Sequence, residues 1–313
     1  MKNEISINSV LDSKIAAIIV LYFPNETLLI SLLNSLKNTL SYLIVIDNTP
    51  SDKQKRVSLD WFESKDYDVE YHSLGDNFGI AKAQNIGIKL AIDYNCDHII
   101  LFDQDSVASE GMINELLSEE QSLLAKGHNV GSVGPVFIDE KTRECAKVIR
   151  YGNIFTKRIP VTNNDLNPIK ADYLISSGSL IRTSVLKDVG LIYEDLFIDW
   201  VDIEWALRAG NFGYVHFTIP RAFMMHSIGD SFIDVGMRKV NLHSDVRHYY
   251  IVRNACHLLT NKKLGRRFRT NVFLKIPIYV LLFSLTSNSR MRSLKILLRA
   301  MFNGFSGKLG KFF

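Results

Sequence analysis

The chain has 313 residues, 47% hydrophobic and 22% charged, with a net charge of +4. That balance fits a globular protein with an ample core, as one large domain or a domain plus an appendage. Its three cysteines, Cys96, Cys145 and Cys256, lie far apart with no Cys-x-x-Cys pair, which argues against a disulfide framework or structural zinc and fits a reducing cytoplasm.

Residues 1–13 are polar and lack the basic-then-apolar order of a signal peptide. A first buried strand is predicted over 14–22, broken by Pro24 and Asn25, and Leu28, Leu29, Leu32, Leu33 and Leu36 then recur at helical spacing. A second buried strand covers 42–48 and stops at the turn formers Asn48, Thr49 and Pro50. A polar helix is expected over 53–64, a weaker strand at 69–72 and a helix over 79–94. The branched apolar run Ile99-Ile100-Leu101-Phe102 reads as a central strand and ends in Asp103-Gln104-Asp105. After it come a helix from Ser109 to Leu124, a strand over 130–137, an irregular connection over 140–170 with room for a hairpin, and a strand-like stretch over 173–181. A short helix over 183–189 closed by Gly190, a helix over 199–210 capped by Gly210 and a strand over 214–218 complete the body. The alternation points to an α/β protein with a mostly parallel sheet flanked by helices.

From about residue 234 the chain reads as helical and basic. Onward from residue 235 there are 16 Lys and Arg against one acid, Asp245, leaving 21 basic and 32 acidic residues upstream. Such asymmetry suggests an anionic partner, and no base-reading module accompanies it, which favours a membrane surface over nucleic acid. The apolar run over 276–285 is shorter than the roughly 20 residues a spanning helix needs and reads as interfacial or buried. In the last helix Met291, Leu294, Leu298, Met301, Phe302 and Phe305 share a face while Arg292, Lys295 and Arg299 lie elsewhere, as in helices that rest in a membrane interface. The alternative is a helical subdomain packed on the core or on a second subunit.

Four polar signals fall in loops after strands. Asp47 ends the second strand, where a carboxylate can accept from a base or ribose. Asn77, Gly79 and Asn85 bracket a helix start, where small residues let backbone approach an anion. Asp103 and Asp105 end a central strand, where ligands of open α/β sheets bind and where a hard cation can be held against a phosphate. Asp199, Asp202 and Glu204 surround a further helix start. Each has a plainer reading as a turn or cap residue.

Taken in order, Ile44-Val45-Ile46-Asp47-Asn48, the Asn77 to Gly87 helix start, Asp103-Gln104-Asp105 and Val201-Asp202-Ile203-Glu204-Trp205 resemble the inverting family-2 glycosyltransferases of the GT-A fold over about residues 14–230. Residues 101–106, 174–179 and 249–254 look most like bacterial rhamnosyltransferases that build O-antigens and other cell-surface polysaccharides on lipid-linked acceptors. The resemblance implies a GT-A catalytic domain over 1–234 and a basic amphipathic helical region over 235–313. It implies donor contacts at Asp47, Asn77, Gly79, Asn85, Asp103 and Gly178, and Mg²⁺ or Mn²⁺ at Asp103, Asp105 and His226. Asp202 matches the catalytic base and Glu204 a second carboxylate that orients the acceptor. Val201 departs from the commoner Glu-Asp pair, and Asp199 remains a rival base one helical turn away.

The expected donor is dTDP-L-rhamnose and the expected acceptor a polyprenyl-diphosphate-linked glycan, whose diphosphate Arg247 and Arg253 would meet. The expected location is the cytoplasmic face of the plasma membrane, bound peripherally, with the oligomeric state open. A UDP-hexose or UDP-galactofuranose donor, a nucleotidyltransferase, and an inert membrane-binding scaffold are the competing readings.

Overall fold

The computed structural model describes residues 13–37, 39–51, 53, 57–139, 143–162, 164–226, 232–234, 239–241, 245–287 and 289–312. Strand β1 (Ile15–Leu21) is buried along its whole length. Its alternate residues enter two separate cores: Ala16, Ile18 and Val20 one, Ile15, Ala17, Ile19 and Leu21 the other. This period-two division is why an unbroken apolar run is needed there. Helix α1 (Glu26–Ser35) follows, capped by Asn25, whose side chain accepts from the amides of Thr27 and Leu28. Next come β2 (Tyr42–Asp47), α2 (Leu59–Glu63), β3 (Glu70–Ser73), α3 (Ile80–Asp93) and β4 (His98–Asp103).

The sheet runs β3-β2-β1-β4 with all three pairings parallel. Leu21 of β1 pairs with Asp47 and Val20 with Asp103. The order reverses around β1, so both aspartates reach the carboxyl edge at the switch point, where such sheets bind ligands.

The remainder comprises β5 (Ser106–Ala108), α4 (Met112–Ala125), β6 (Val130–Asp139), the hairpin β7 (Val148–Tyr151) and β8 (Thr156–Ile159), β9 (Ile169–Ala171), β10 (Leu180–Arg182), α5 (Thr183–Val189), a 3₁₀ turn at Glu194–Leu196, α6 (Val201–Asn211) and β11 (Val215–His226). Strand β10 joins β4 to β6 in antiparallel fashion, and β11 runs parallel to β6. After the short hairpin β12 (Phe232–Asp234) and β13 (Lys239–Asn241) come α7 (Asp245–Thr260), α8 (Arg266–Thr286) and α9 (Arg290–Phe305). Helix α7 is no loose appendage: Tyr249, Tyr250, Val252, Ala255 and Cys256 belong to the same core as one face of β1.

Several expectations are corrected. Helix α2 begins only after Ser58, which caps Trp61, so Val57 and Ser58 are not part of the helix expected over 53–64, whose residues 54–56 lie outside the described residues. Helix α4 starts at Met112 because Gly111 takes φ +74° and Ser109 instead donates to the carbonyl of Phe223. Residues 173–179 are not a strand: Gly178 turns at φ +72°, and Ser179 Oγ donates back to Ile175. Helix α6 starts at Val201 rather than Asp199, and it ends past Gly210 at Gly213 (φ +85°), whose amide and that of Tyr214 return to Gly210 and Ala209. Strand β11 is longer than expected and shifts register between Ile219 and Phe223, around Pro220, which has no amide to pair. The region after 232 is a hairpin before it is helical. Helix α8 is continuous through Pro277, so the apolar run belongs to a 21-residue helix that is long and apolar enough to cross a membrane by length and composition.

Candidate active site

The loops at the carboxyl edge of the sheet are tied to one another. Asp47 is buried; one carboxylate oxygen accepts from the amide of Thr49 (2.9 Å) and the other from the Tyr71 hydroxyl (2.8 Å). Burial first, then this carboxylate, pushes the Tyr71 phenol well up, so it stays a donor. Asn48 donates to Asn77 Oδ1 (3.0 Å) and accepts from the amide of Phe78 (2.8 Å), while Asn77 Oδ1 also accepts from Gly79 N (2.9 Å). Asn48, missed in the sequence reading although it adjoins Asp47, thus shapes the loop that opens α3. Gly79 stands at φ +84°, and a Cβ there would come 2.5 Å from the Phe197 carbonyl oxygen. Only glycine fits that crossing.

Asp103 ends β4, and its amide donates to Ser177 Oγ (3.0 Å), which pairs in turn with Ser106 Oγ (2.9 Å). Gln104 between the two carboxylates clips the turn to β1, accepting from Tyr22 N (2.9 Å) and donating to Tyr22 O (3.2 Å). Asp105 occupies the turn into β5, where Ser106 lies opposite His226 in the antiparallel pairing with β11. The side chain of His226 lies outside the described residues. Among the described residues no group of three or more His, Cys, Asp and Glu is assembled for a metal. Two carboxylates one residue apart nevertheless suit Mg²⁺, which is commonly held by one or two carboxylates plus substrate phosphates and water.

Residues 195–202 form a turn that meets the start of α3, with the Phe197 carbonyl against Gly79 and Ala81. Phe197, Asp199 and Trp200 all have positive φ (+67°, +61° and +67°), an unfavourable state for non-glycine residues. Helix α7 holds this turn. Asn254 Nδ2 donates to the carbonyls of Leu196 (2.9 Å), Ile198 (2.8 Å) and Asp199 (3.1 Å), and Arg253 Nη2 donates to Leu196 (2.8 Å). Trp200 Nε1 donates to Ile251 O (3.0 Å), and Phe197 stacks on Tyr250 at 5.0 Å. The chain end joins in, with Gly310 N donating to Asp195 O (2.8 Å) and Lys311 pairing with Asp76 beside Asn77 (2.9 Å). In the sequence Asn254 stands out only as part of 249–254, and Arg253 reads as a contact for an acceptor diphosphate rather than as the clamp of this turn.

Asp202, in the first turn of α6, has its carboxyl pushed up to about 6 by burial first, with the charges of Asp199 and Asp103 adding to it. One oxygen accepts from Ile203 N (2.8 Å). Asp199 is paired with Arg247 at 3.2 Å.

Glu204, Asn85 and Arg253 are engaged elsewhere than expected. Glu204, two residues on and so across the helix from Asp202, is buried in a forked pair with Arg208 (2.9 and 3.0 Å) and does not face an acceptor. Arg208 in turn donates to the carbonyls of Val189 and Leu191. Asn85 spends its amide on Ile192 N, Ile192 O and Glu194, fastening α3 to the 190s loop rather than lining the donor pocket. Both residues border a separate shallow cavity of about 670 Å³ with Tyr193 and His257. Gly178 packs where a Cβ would meet Pro135 at 2.7 Å, so close packing requires glycine there. Arg253 is fully buried on backbone carbonyls, which removes its expected role on an acceptor diphosphate, while Arg247 pairs with Asp199 and stays partly exposed.

Comparison with known proteins agrees with this layout. Residues 17–190 match the family described as glycosyl transferase family 2. The chain is 34% identical over 301 residues to dTDP-rhamnosyl transferase RfbF of Shigella flexneri, covering 96% of this chain and 98% of that protein. Among solved structures, residues 1–349 of TarS from S. aureus superpose with a TM-score of 0.56 at 15% identity, covering 94% of this chain and 82% of that one. GalNAc-T7, solved with UDP, GalNAc and Mn²⁺, gives 0.57 at 13% identity over 88% of this chain and 58% of that one. A sheet with its aspartates gathered at one edge, a full-length relative and a family match over more than half the chain lead to one conclusion: the protein belongs to glycosyl transferase family 2.

Proposed function

We propose that the protein transfers L-rhamnose from dTDP-L-rhamnose to a hydroxyl of a lipid-linked glycan acceptor in cell-surface polysaccharide synthesis. The observation that carries the mechanism is Asp202, a partly exposed carboxylate in the first turn of α6, raised to about 6 by burial first and then by the charges of Asp199 and Asp103. An acceptor hydroxyl is a weak nucleophile, and a base pKa near the working pH suits removal of its proton during attack at the anomeric carbon. Asp199 is already engaged by Arg247, which favours Asp202 as the base. Asp47, Asn77 and Gly79 would bind the nucleotide, with the Asn48–Asn77 pair fixing the loop. Asp103, Asp105 and His226 would hold Mg²⁺ or Mn²⁺, which would balance charge developing on the departing diphosphate. One displacement inverts the anomeric centre and needs no second nucleophile. The rhamnosyl donor is supported by the relative that spans nearly the whole chain.

Placement on the cytoplasmic membrane surface is supported by the outer faces of α8 and α9. Phe273, Ile278, Leu281 and Leu285 on α8, and Met291, Leu298, Phe302 and Phe305 on α9, are all more than half exposed. Exposed Arg290, Arg292, Lys295 and Arg299 surround them. An apolar strip flanked by cations suits the interface of an anionic bilayer.

The test is to incubate purified protein with dTDP-L-rhamnose, UDP-glucose, UDP-galactose and UDP-galactofuranose, with Mg²⁺, Mn²⁺ or chelator. The readout is release of nucleoside diphosphate in the presence of lipid-linked acceptors. Metal-dependent release from dTDP-L-rhamnose alone is expected, and preferential turnover of a UDP-sugar would overturn the donor assignment.

A further inference from the structure

Three tyrosines from three separate segments lie near the turn that carries Asp199 and Asp202 and are not used by the mechanism above. Tyr151 ends β7, Tyr173 lies in the loop before β10, and Tyr279 projects from α8. The rings of Tyr151 and Tyr173 stack with centroids 6.0 Å apart and planes 28° apart. Tyr151 is backed edge-on by Phe268 of α8 at 5.3 Å. Tyr279 ends a ladder of parallel rings: Phe283 lies 5.5 Å from it at 6°, and His248 lies 3.8 Å from Phe283 at 8°. Tyr151 is buried, whereas Tyr173 and Tyr279 are half-buried and keep part of their surface open.

Burial raises all three phenols, so they remain hydroxyl donors. The charge of Asp202 is felt by Tyr151 and Tyr173, that of Asp199 by Tyr279, and Arg158 of β8 acts on both Tyr173 and Tyr279. Two contacts draw these segments together: Trp200, two residues before Asp202, meets Phe268 at 6.1 Å, and Lys275, one turn before Tyr279 on α8, stands over the Tyr151 ring at 5.9 Å.

We infer that Tyr173 and Tyr279, backed by Tyr151 and edged by Arg158, form the acceptor subsite, a platform on which a sugar ring stacks with one hydroxyl turned toward Asp202. The inference rests on the reading of Asp202 as the base. A sugar ring has an apolar C–H face and a rim of hydroxyls. A tyrosine answers both, with a rigid apolar face and a polar tip, and it loses little conformational entropy when already held by a ladder of rings. The inward face of α8, carrying Phe268, Val272, Ile276, Tyr279 and Phe283, lies opposite the exposed strip of Phe273, Ile278, Leu281 and Leu285. One helix thus presents the acceptor platform on one side and the proposed lipid-facing strip on the other, which brings a glycan on a lipid carrier to the base along the shortest route.

The test uses the full chain, dTDP-L-rhamnose and a panel of synthetic glycans carried either as alkyl glycosides or as alkyl diphosphates. The best acceptor for the native protein is then titrated. Tyr279→Ala and Tyr173→Ala should each raise acceptor KM about tenfold, with donor KM and acceptor-free donor hydrolysis within about twofold of native. Tyr279→Phe should retain most acceptor affinity, because the ring face remains. If Tyr279→Ala fails to fold, Tyr279→Leu, similar in bulk without an aromatic face, carries the same expectation. Acceptor KM unchanged in the tyrosine variants, or donor KM rising in step with it, overturns the subsite. Native donor hydrolysis without transfer to any panel member also counts against it. Loss of donor hydrolysis in the native protein would strike the glycosyl-transfer reading instead.

Discussion

The two sides of the proposed site are held in different ways. On the donor side Asp47, Asn48, Asn77, Gly79 and Asp103 stand at strand ends or in short loops, linked across adjacent strands of one parallel sheet. On the acceptor side the turn that delivers Asp202 contains three non-glycine residues at positive φ. It is held by α7, whose Asn254 and Arg253 lie more than 50 residues further along the chain. Each such backbone state costs on the order of 1–3 kcal/mol and persists only where surrounding contacts over-determine it. The first group is tied within the loops of the sheet, whereas the turn before Asp202 is held from outside the sheet by α7.

The strongest way to probe this contrast is Asp202→Asn. Loss of a general base typically removes 10² to 10⁴ of the rate, so transfer should fall by about a thousandfold while the donor side stays intact. The same variant should be more stable at neutral pH. Burial holds the Asp202 carboxyl at about 6 against an ordinary 3.8, so between those values the native state binds more protons than the unfolded chain. Stability therefore declines as pH rises through that window, by on the order of 2 kcal/mol. The amide lacks this penalty. Denaturant titrations with chelator at pH 4 and pH 7 should show the variant gaining on native only at the higher value.

Asn254→Ala should come next. It strands three carbonyls of the strained turn, costing about 2 kcal/mol of stability and lowering kcat about a hundredfold, with donor KM little changed. A rise in donor KM matching the fall in kcat would erase the distinction between the two sides. Gly79→Ala tests their contact, since its Cβ would press on the Phe197 carbonyl at 2.5 Å. A loss of about 1–2 kcal/mol is expected, with both donor affinity and turnover affected. The smallest effect is the pH response of the native enzyme. Turnover should climb as Asp202 deprotonates through about pH 6 and then level off, and a profile flat from pH 5 to 8 would contradict Asp202 as the base.

The contrast also governs what could be read in the sequence. Buried strands β1, β2 and β4 announce themselves through apolar runs ending in aspartate, because a parallel strand covered on both faces needs such a run and ligands bind at its end. The short helix α5 closed by Gly190 was equally legible, its Gly190 standing at φ +90° as a terminating glycine does. Glu204 was misjudged because a carboxylate near a base resembles a partner in chemistry, and only tertiary structure reveals that Arg208 and the carbonyls of Val189 and Leu191 claim it. Asn85 shares this history. Arg253 looked like an anion-binding cation on a basic tail, yet its task is to satisfy carbonyls in a strained loop distant in sequence. The tyrosine cluster left no trace, since Tyr151, Tyr173 and Tyr279 are brought together by three unrelated segments without common spacing.

The most direct test sets two substitutions side by side. Equilibrium titration with dTDP-L-rhamnose and Mn²⁺ is run on Asp47→Asn and Asp202→Asn, each paired with a turnover assay. The account predicts that Asp47→Asn loses donor binding, whereas Asp202→Asn binds donor with native affinity and loses turnover. Near-native turnover by Asp202→Asn, or loss of donor binding in that variant with binding kept in Asp47→Asn, would contradict it.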